Sequence, residues 1–293
     1  MLDEKTAKLI LFSAFDPVDT FWQEEVLSNG AVNTYQKIIK GFAYLKVSNF
    51  PQIRDRVFSA NVENLKSEIF SAKAEFISCE DIDWPVACQD LQVPPIGLVI
   101  KGDRKLLTQL GNSISIVGSR RPTNYGLNVA NQLATDACKR EIVVISGGAY
   151  GIDTAAHKAS LFVGGKTIAV LAGGINNLYP PENLLMFTQI AESGLLISEV
   201  MPNVKTIPAR FLNRNRLIAA LSMATVVVEA EFVSGSIRTA RDAAEIFRPV
   251  FAIPGQISSK LSDGCHRLIA ERIADIATSL DEIVEVIKPL QLR

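Results

Sequence analysis

Between residues 114 and 255 the apolar positions come in short continuous blocks: ISIVG (114–118), IVVIS (142–146), KTIAVLA (166–172), LLIS (195–198), TVVVEA (225–230) and PVFAIPG (249–255). A strand with one wet face alternates apolar and polar residues, whereas a strand covered on both faces is apolar at nearly every position. The stretches between the blocks have helical spacing: near 123–139, from GIDTAAHKASL (151–161), near 182–193, from NRNRLIAALS (213–222) and near 237–247. Strand and helix therefore alternate. This predicts an α/β fold with a doubly wound, mostly parallel Rossmann-like sheet. Ligands on such sheets collect beyond the carboxyl ends of the strands, so the loops there are where function is sought.

Upstream the texture differs. TFWQEEVLSNGAVNTYQKIIKGFAYLK (20–46) places apolar residues at three- and four-residue spacing, broken at Gly30 and Gly41. VENLKSEIFSAKAEFIS (62–78) reads as a further helix with Val62, Leu65, Ile69 and Phe76 near one face. Prolines 85, 94 and 95 then bound an extended segment, and IGLVIKG (96–102) reads as a strand. The expected organisation is a small helical N-terminal domain over 1–80 and a Rossmann-like domain over 81–293. The default role of the helical part is packing or partner binding. SLDEIVEVIKPLQLR (279–293) supplies about one helix after the sheet, so no C-terminal winged helix is expected.

Composition narrows this modestly. The 293 residues are 48% hydrophobic and 21% charged, with a formal net charge of −1, which argues against a generally basic nucleic-acid protein but leaves room for a local patch. Residues 1–110 carry 12 Lys/Arg and 15 Asp/Glu, against 18 and 16 over 111–293; many of the later cations fall in predicted loops. Cys79, Cys88, Cys138 and Cys265 form no C-x-x-C pair and His157 and His266 are the only histidines, so free thiols and no metal are expected. The first apolar run is too short for a signal peptide, and no stretch reaches the roughly 18 apolar residues of a membrane span. A cytoplasmic protein without membrane contact is expected.

Five loops at the strand ends carry unusual chemistry. In the first, Gly118 permits a sharp turn, Ser119 offers a hydroxyl at a helix start, and Arg120 is a planar cation suited to phosphate. In SGGAYGID (146–153), Gly147 and Gly148 let a ligand approach closely or let helix pack on sheet, and Asp153 is placed to cap the following helix. AGGINNLYPPEN (172–183) adds Tyr179, placed either to stack on a base or to pack its loop. VKTIPARFLNRNRLIAALS (204–222) gathers Lys205, Arg210, Arg214 and Arg216 around Phe211. Cations interleaved with a ring suit single-stranded nucleic acid, backbone and base; equally, Arg214 and Arg216 can bond carbonyls or a carboxylate such as Glu199 within the sheet. In EFVSGSIRTARDAAE (231–245), Ser234 and Gly235 precede a helix and Thr239 stands one turn in. A row of anion-binding turns along one sheet edge implies several phosphates, hence a polymer.

Other chemistries lack their motifs. There is no G-x-G-x-x-G with a following acidic partner for a dinucleotide, no P-loop and no nucleophile elbow. No cofactor and no catalytic residue is expected, and His157, within AAHKASL, reads as packing or capping.

Taken in order, IVGSRRPTNYG, SGGAYGIDTAAHKASL, TIAVLAGGINNLYPPEN, SEVMP, FLNRNRLIAALS, VVVEA, SGSIRTARDAA and VFAIPG closely resemble the motifs of the DNA-processing protein DprA (Smf) family, over roughly residues 84–270. The resemblance implies a non-enzymatic single-stranded DNA-binding protein that protects incoming DNA in natural transformation and loads the RecA recombinase for homologous recombination, acting as a homodimer. Carried over motif by motif, it places DNA contacts at Gly118, Ser119, Arg120, Gly147, Gly148, Lys205, Phe211, Arg214, Arg216, Ser234, Gly235 and Thr239. Three positions depart from the family pattern: Tyr150 where a basic residue is frequent, Pro181 where some members have lysine, and Phe247 where glycine is usual. The competing reading is a nucleotide phosphoribohydrolase of the lysine decarboxylase-like group. Its glycine-rich motif with a catalytic glutamate is poorly matched by SGSIRTARDAAE, since Glu245 falls too far along the helix. A pure interaction scaffold, whose glycine turns only pack helices, is the third.

Overall fold

The computed structural model describes residues 2–41 and 43–291. Five helices come first: α1 (Glu4–Ala14), α2 (Thr20–Asn29), α3 (Ala31–Lys40), α4 (Phe50–Ser59) and α5 (Val62–Ser71). They close around Trp22, which is fully buried and lies within 4.9–6.2 Å of Phe15, Phe21, Tyr44 and Phe50. The helix expected to run to residue 78 stops at Ser71. Lys73 takes a left-handed φ of 52°, and Phe76 lies in strand β1 (Glu75–Ile77). Spacing alone did not show this break, because a three-residue strand with one buried position adds no period of its own.

After β1 come β2 (Leu98–Gly102), β3 (Ser113–Val117), α6 (Asn124–Lys139), β4 (Val143–Ser146), α7 (Ile152–Phe162), β5 (Thr167–Leu171), α8 (Leu184–Ser193) and β6 (Leu195–Ser198). The chain continues with α9 (Pro208–Ala220), β7 (Thr225–Val227), α10 (Gly235–Glu245), β8 (Val250–Ala252), α11 (Asp263–Ala270), β9 (Asp275–Ile276) and α12 (Leu280–Gln291). The described residues form one nine-stranded sheet in the order β1-β2-β6-β5-β4-β3-β7-β8-β9. From β6 to β9 every neighbouring pair is parallel, while β2 runs antiparallel to β6 and β1 antiparallel to β2. The doubly wound α/β fold is thus as expected, and its edge strand draws on residues ahead of position 81.

Strands β3 to β6 are buried at every position, as their unbroken apolar blocks require. One sheet face packs on α9, α10 and α11 through Leu217, Ala240 and Leu268; the other packs on α6, α7 and α12 through Leu133, Ala156 and Ile283. Among the described residues no helix is long and apolar enough to cross a membrane. Phe247 closes α10 at φ 58° and is 94% exposed. This is the left-handed region that glycine enters freely, so the expected departure falls on a position whose backbone favours glycine.

What positions the site is the strand order. The chain runs outward from β3 to β6, then returns to the other side of β3 for β7 to β9. The connections leaving β3 and β7 therefore diverge, to α6 on one face and α10 on the other. A crevice opens between them at the carboxyl edge.

Candidate functional site

That crevice is a cleft of about 430 Å³, lined by the turn after β3, the turn after β7, the first turns of α9 and α10, and Ala149 and Asp153 behind them. Of the twelve residues expected to meet DNA, it brings together Gly118, Ser119, Arg120, Phe211, Arg214, Ser234, Gly235 and Thr239. Gly147, Gly148, Lys205 and Arg216 are not in its lining.

The mouth is cationic. Arg120 and Arg121 are both exposed, and neither pairs with a carboxylate among the described residues. Arg120 lies with its guanidinium carbon 5.0 Å from the centre of the half-buried Phe211 ring, a cation–π placement that orders the charge without neutralising it. The turn beneath is held from three sides. Ser119 N–H donates to Glu229 O at 2.6 Å, the Ser119 carbonyl accepts from Ile152 N–H at 3.1 Å, and the Ser119 hydroxyl accepts from Arg121 N–H at 3.0 Å. Gly151 permits this approach: its φ is 78°, and a Cβ there would lie 2.2 Å from the Ser119 carbonyl oxygen.

The opposite wall is the start of α10. Ser234 occupies the N-cap but makes no capping bond with its side chain; its hydroxyl lies 2.9 Å from that of Ser236. The helix therefore presents first-turn N–H groups and the positive end of its dipole to the cleft, a combination that receives anions. Thr239 is buried beneath, donating its hydroxyl to the Gly235 carbonyl at 3.2 Å. Asn215, which sequence reasoning passed over, donates to the same carbonyl at 3.0 Å and so fixes the turn.

The floor is built differently. Asp153 does not cap its own helix but reaches back to accept N–H bonds from Gly147 at 3.1 Å and Ala149 at 3.3 Å. Burial pushes its carboxyl up, against the pull of Arg214 and these bonds. Arg214 is buried and donates from Nη1 to the Gly147 carbonyl at 2.8 Å and to the Val170 carbonyl; burial brings its guanidinium down to about 10. A Cβ on Gly147 would lie 2.3 Å from that guanidinium. Both polar groups of Gly147 are thus bonded within the protein, and Arg214 takes the carbonyl-bonding alternative left open in the sequence. Arg216 takes the carboxylate alternative: its Nη2 meets Glu199 at 2.6 Å and the Pro17 carbonyl at 3.1 Å, away from the cleft. Lys205 is exposed in the loop before α9, and Gly148, at φ 68°, backs onto Phe187. His157 is buried against Thr167, 2.7 Å from its hydroxyl; burial and Arg214 push the imidazole down to about 3, so it is neutral.

Beyond the cleft, Tyr150 and Tyr179 extend the aromatic surface begun by Phe211. Tyr179 thus joins the rings as one of its two expected placements allows, while Arg121 and Tyr150 complete the picture that the motifs left partial; their signal in the sequence is only adjacency to glycine turns.

Residues 75–288 match the family model described as DNA recombination-mediator protein A. A DNA processing protein DprA of Mycobacterium tuberculosis is 40% identical over 222 residues, covering 72% of this chain and 57% of that protein, so the chain spans under two thirds of that relative's length. The X-ray structure of DprA from Streptococcus pneumoniae superposes with a TM-score of 0.81 at 31% identity, covering 97% of this chain and 98% of that one. The DNA processing protein A of Helicobacter pylori, whose structure is described for its unique single-stranded DNA binding mode, gives a TM-score of 0.65 at 30% identity, covering 74% and 98%.

Proposed function

The chain belongs to the DNA recombination-mediator protein A family, the DprA and Smf proteins, and from that premise we propose that it binds single-stranded DNA in the cleft at the carboxyl edge of its sheet. The observation that carries this reading is the Arg120–Phe211 pair facing the open start of α10: an unneutralised cation, a ring and helix N–H groups in one crevice. A phosphate needs the first and third, and a base needs the second. The cleft serves binding rather than catalysis. Its one deep carboxylate, Asp153, is engaged by two N–H groups, and the nearby imidazole of His157 is buried and neutral. In the fuller reading the protein is a cytoplasmic homodimer that shelters incoming single strands during natural transformation and passes them to a RecA recombinase. That part rests on family membership.

The test is a titration with a dT oligonucleotide and its duplex form at two salt concentrations, for the wild type and Arg120→Ala. Wild type is expected to bind the single strand with an affinity that falls as salt rises. Arg120→Ala should lower the slope of log affinity against log salt by about 0.7, the contribution of one phosphate contact on a single strand. Absence of binding at low salt overturns the proposal. Release of a free base from a nucleoside monophosphate would overturn its non-catalytic half in favour of the phosphoribohydrolase reading.

A further inference from the structure

The turns after β4 and β5 hold two tyrosines that contribute little to the core: Tyr150 is 36% and Tyr179 47% exposed. Their ring centres lie 6.5 Å apart at an interplanar angle of 77°, and Tyr179 meets Phe211 at 5.6 Å and 73°. With Arg120 over Phe211, four side chains form a row leading out of the cleft. The row crosses the strand order rather than following it: Phe211 comes from α9, Tyr179 from the turn after β5, and Tyr150 from the turn after β4, which lies between β5 and β3. Edge-to-face rings do not cover each other as stacked rings do, so flat apolar surface remains along it.

Charge changes sign along the row. Arg120 and Arg121 stand at the cleft end. At the far end the Tyr150 hydroxyl donates to Glu182, and this bond holds the Glu182 carboxyl below its usual range. A carboxylate repels a phosphate, whereas ring faces accept any base. The outer half of the row is therefore suited to nucleobases and unsuited to a backbone.

We propose that Tyr150 and Tyr179 form a base-stacking arm that carries the single strand outward from the cleft, bases on the rings and phosphates kept at the arginine end. This rests on the single-stranded DNA reading and adds to it how the strand is oriented. Binding along the arm depends on stacking and not on charge.

Fluorescence anisotropy with a dT oligonucleotide and an abasic oligonucleotide of equal length tests it. The proteins are the wild type, the double variant Tyr150→Ala/Tyr179→Ala, the double variant Tyr150→Phe/Tyr179→Phe, and Arg120→Ala. Loss of a base–ring stack weakens binding by about tenfold or more. The double alanine variant should therefore bind dT at least tenfold more weakly, lose that much of the wild-type preference for dT over the abasic strand, and keep the wild-type salt slope. The phenylalanine variant should behave as wild type, since it keeps the rings, and thermal melts of all four proteins control for folding. A double alanine variant that is folded and retains both dT affinity and base preference overturns the arm. If Arg120→Ala still lowers the salt slope in that case, the cleft stands and only the arm falls. If wild type binds no dT, both fall.

Discussion

Two pairs of arginines, one at the mouth of the cleft and one in its floor and behind it, have opposite fates. At the mouth, Arg120 and Arg121 are exposed and bonded to no carboxylate among the described residues. In the floor and behind it, Arg214 and Arg216 are drawn inward, one onto two carbonyls and the other onto Glu199. The difference comes from the elements that carry them. Arg120 and Arg121 lie in a turn anchored through the backbone of Ser119 and the Arg121 N–H, and their side chains stand in water. Arg214 and Arg216 are two apart on α9, so at 3.6 residues per turn they point about 200° from each other. A cluster in sequence is thereby split between two sides of a helix. Charge at the mouth is available to a ligand; charge in the floor is used to build the turn that shapes the mouth.

The largest effect expected from this contrast is on stability. Arg214→Ala leaves Asp153 buried without its counter-charge and two carbonyls without a donor, so the folded state should lose about 3–5 kcal/mol. Urea unfolding of wild type and variant measures it. An Arg214→Ala protein that is as stable as wild type but weak in DNA binding breaks the contrast and moves Arg214 to the mouth.

The second effect belongs to the Arg216 side and appears in the pH dependence. Burial pushes Glu199 from 4.5 up to about 7, with Arg216 pulling it back and Asp16 adding to the rise. A raised folded-state value means the folded protein holds this proton more tightly than the unfolded chain. Its contribution is therefore fully present below about 4.5 and is lost as pH rises through about 7. Glu199→Gln should flatten the stability profile across that window by about 2–3 kcal/mol, at roughly 1.4 kcal/mol per pKa unit. Unfolding at pH 5 and pH 8 reads this directly; equal slopes in wild type and variant would show that the pair stays ionised throughout.

These buried pairs also mark where the sequence stops being informative. The central sheet was legible because β3 to β6 are covered on both faces and hence apolar throughout, and the switch point follows from the strand order. The antiparallel edge was half legible: β2 stands out just after Pro94 and Pro95, while β1 has three residues and hides behind a helix. At the site, Gly118, Ser119, Arg120, Phe211 and the Ser234–Gly235 turn come together because turn chemistry is local. Whether an arginine faces inward is not local. For Arg214 it depends on carbonyls 44 and 67 residues away, and for Arg216 on Glu199, 17 residues away, and the Pro17 carbonyl, 199 residues away. The aromatic row was equally hidden, since Tyr150, Tyr179 and Phe211 meet only once three loops are in place.

The smallest effect separates the two arginines of the mouth. Arg120 is steadied by the Phe211 ring; Arg121 has only its backbone N–H tied, to the Ser119 hydroxyl, and its guanidinium meets no ring and no acid among the described residues. Both side chains carry about 2 kcal/mol of rotamer entropy, and a group that is ordered before binding loses less of it on contact. Arg121→Ala should therefore leave stability within about 0.5 kcal/mol of wild type, reduce the salt slope by less than the roughly 0.7 expected for Arg120→Ala, and be restored by Arg121→Lys, because a loosely held cation acts through charge and not through its planar fork. The same two-salt titration compares the variants. If Arg121→Ala matches Arg120→Ala in both slope and affinity, Phe211 does not preorganise its neighbour and the mouth is an undifferentiated charged rim. If it has no effect on the slope, Arg121 faces water and the phosphate path passes through Arg120 and the start of α10.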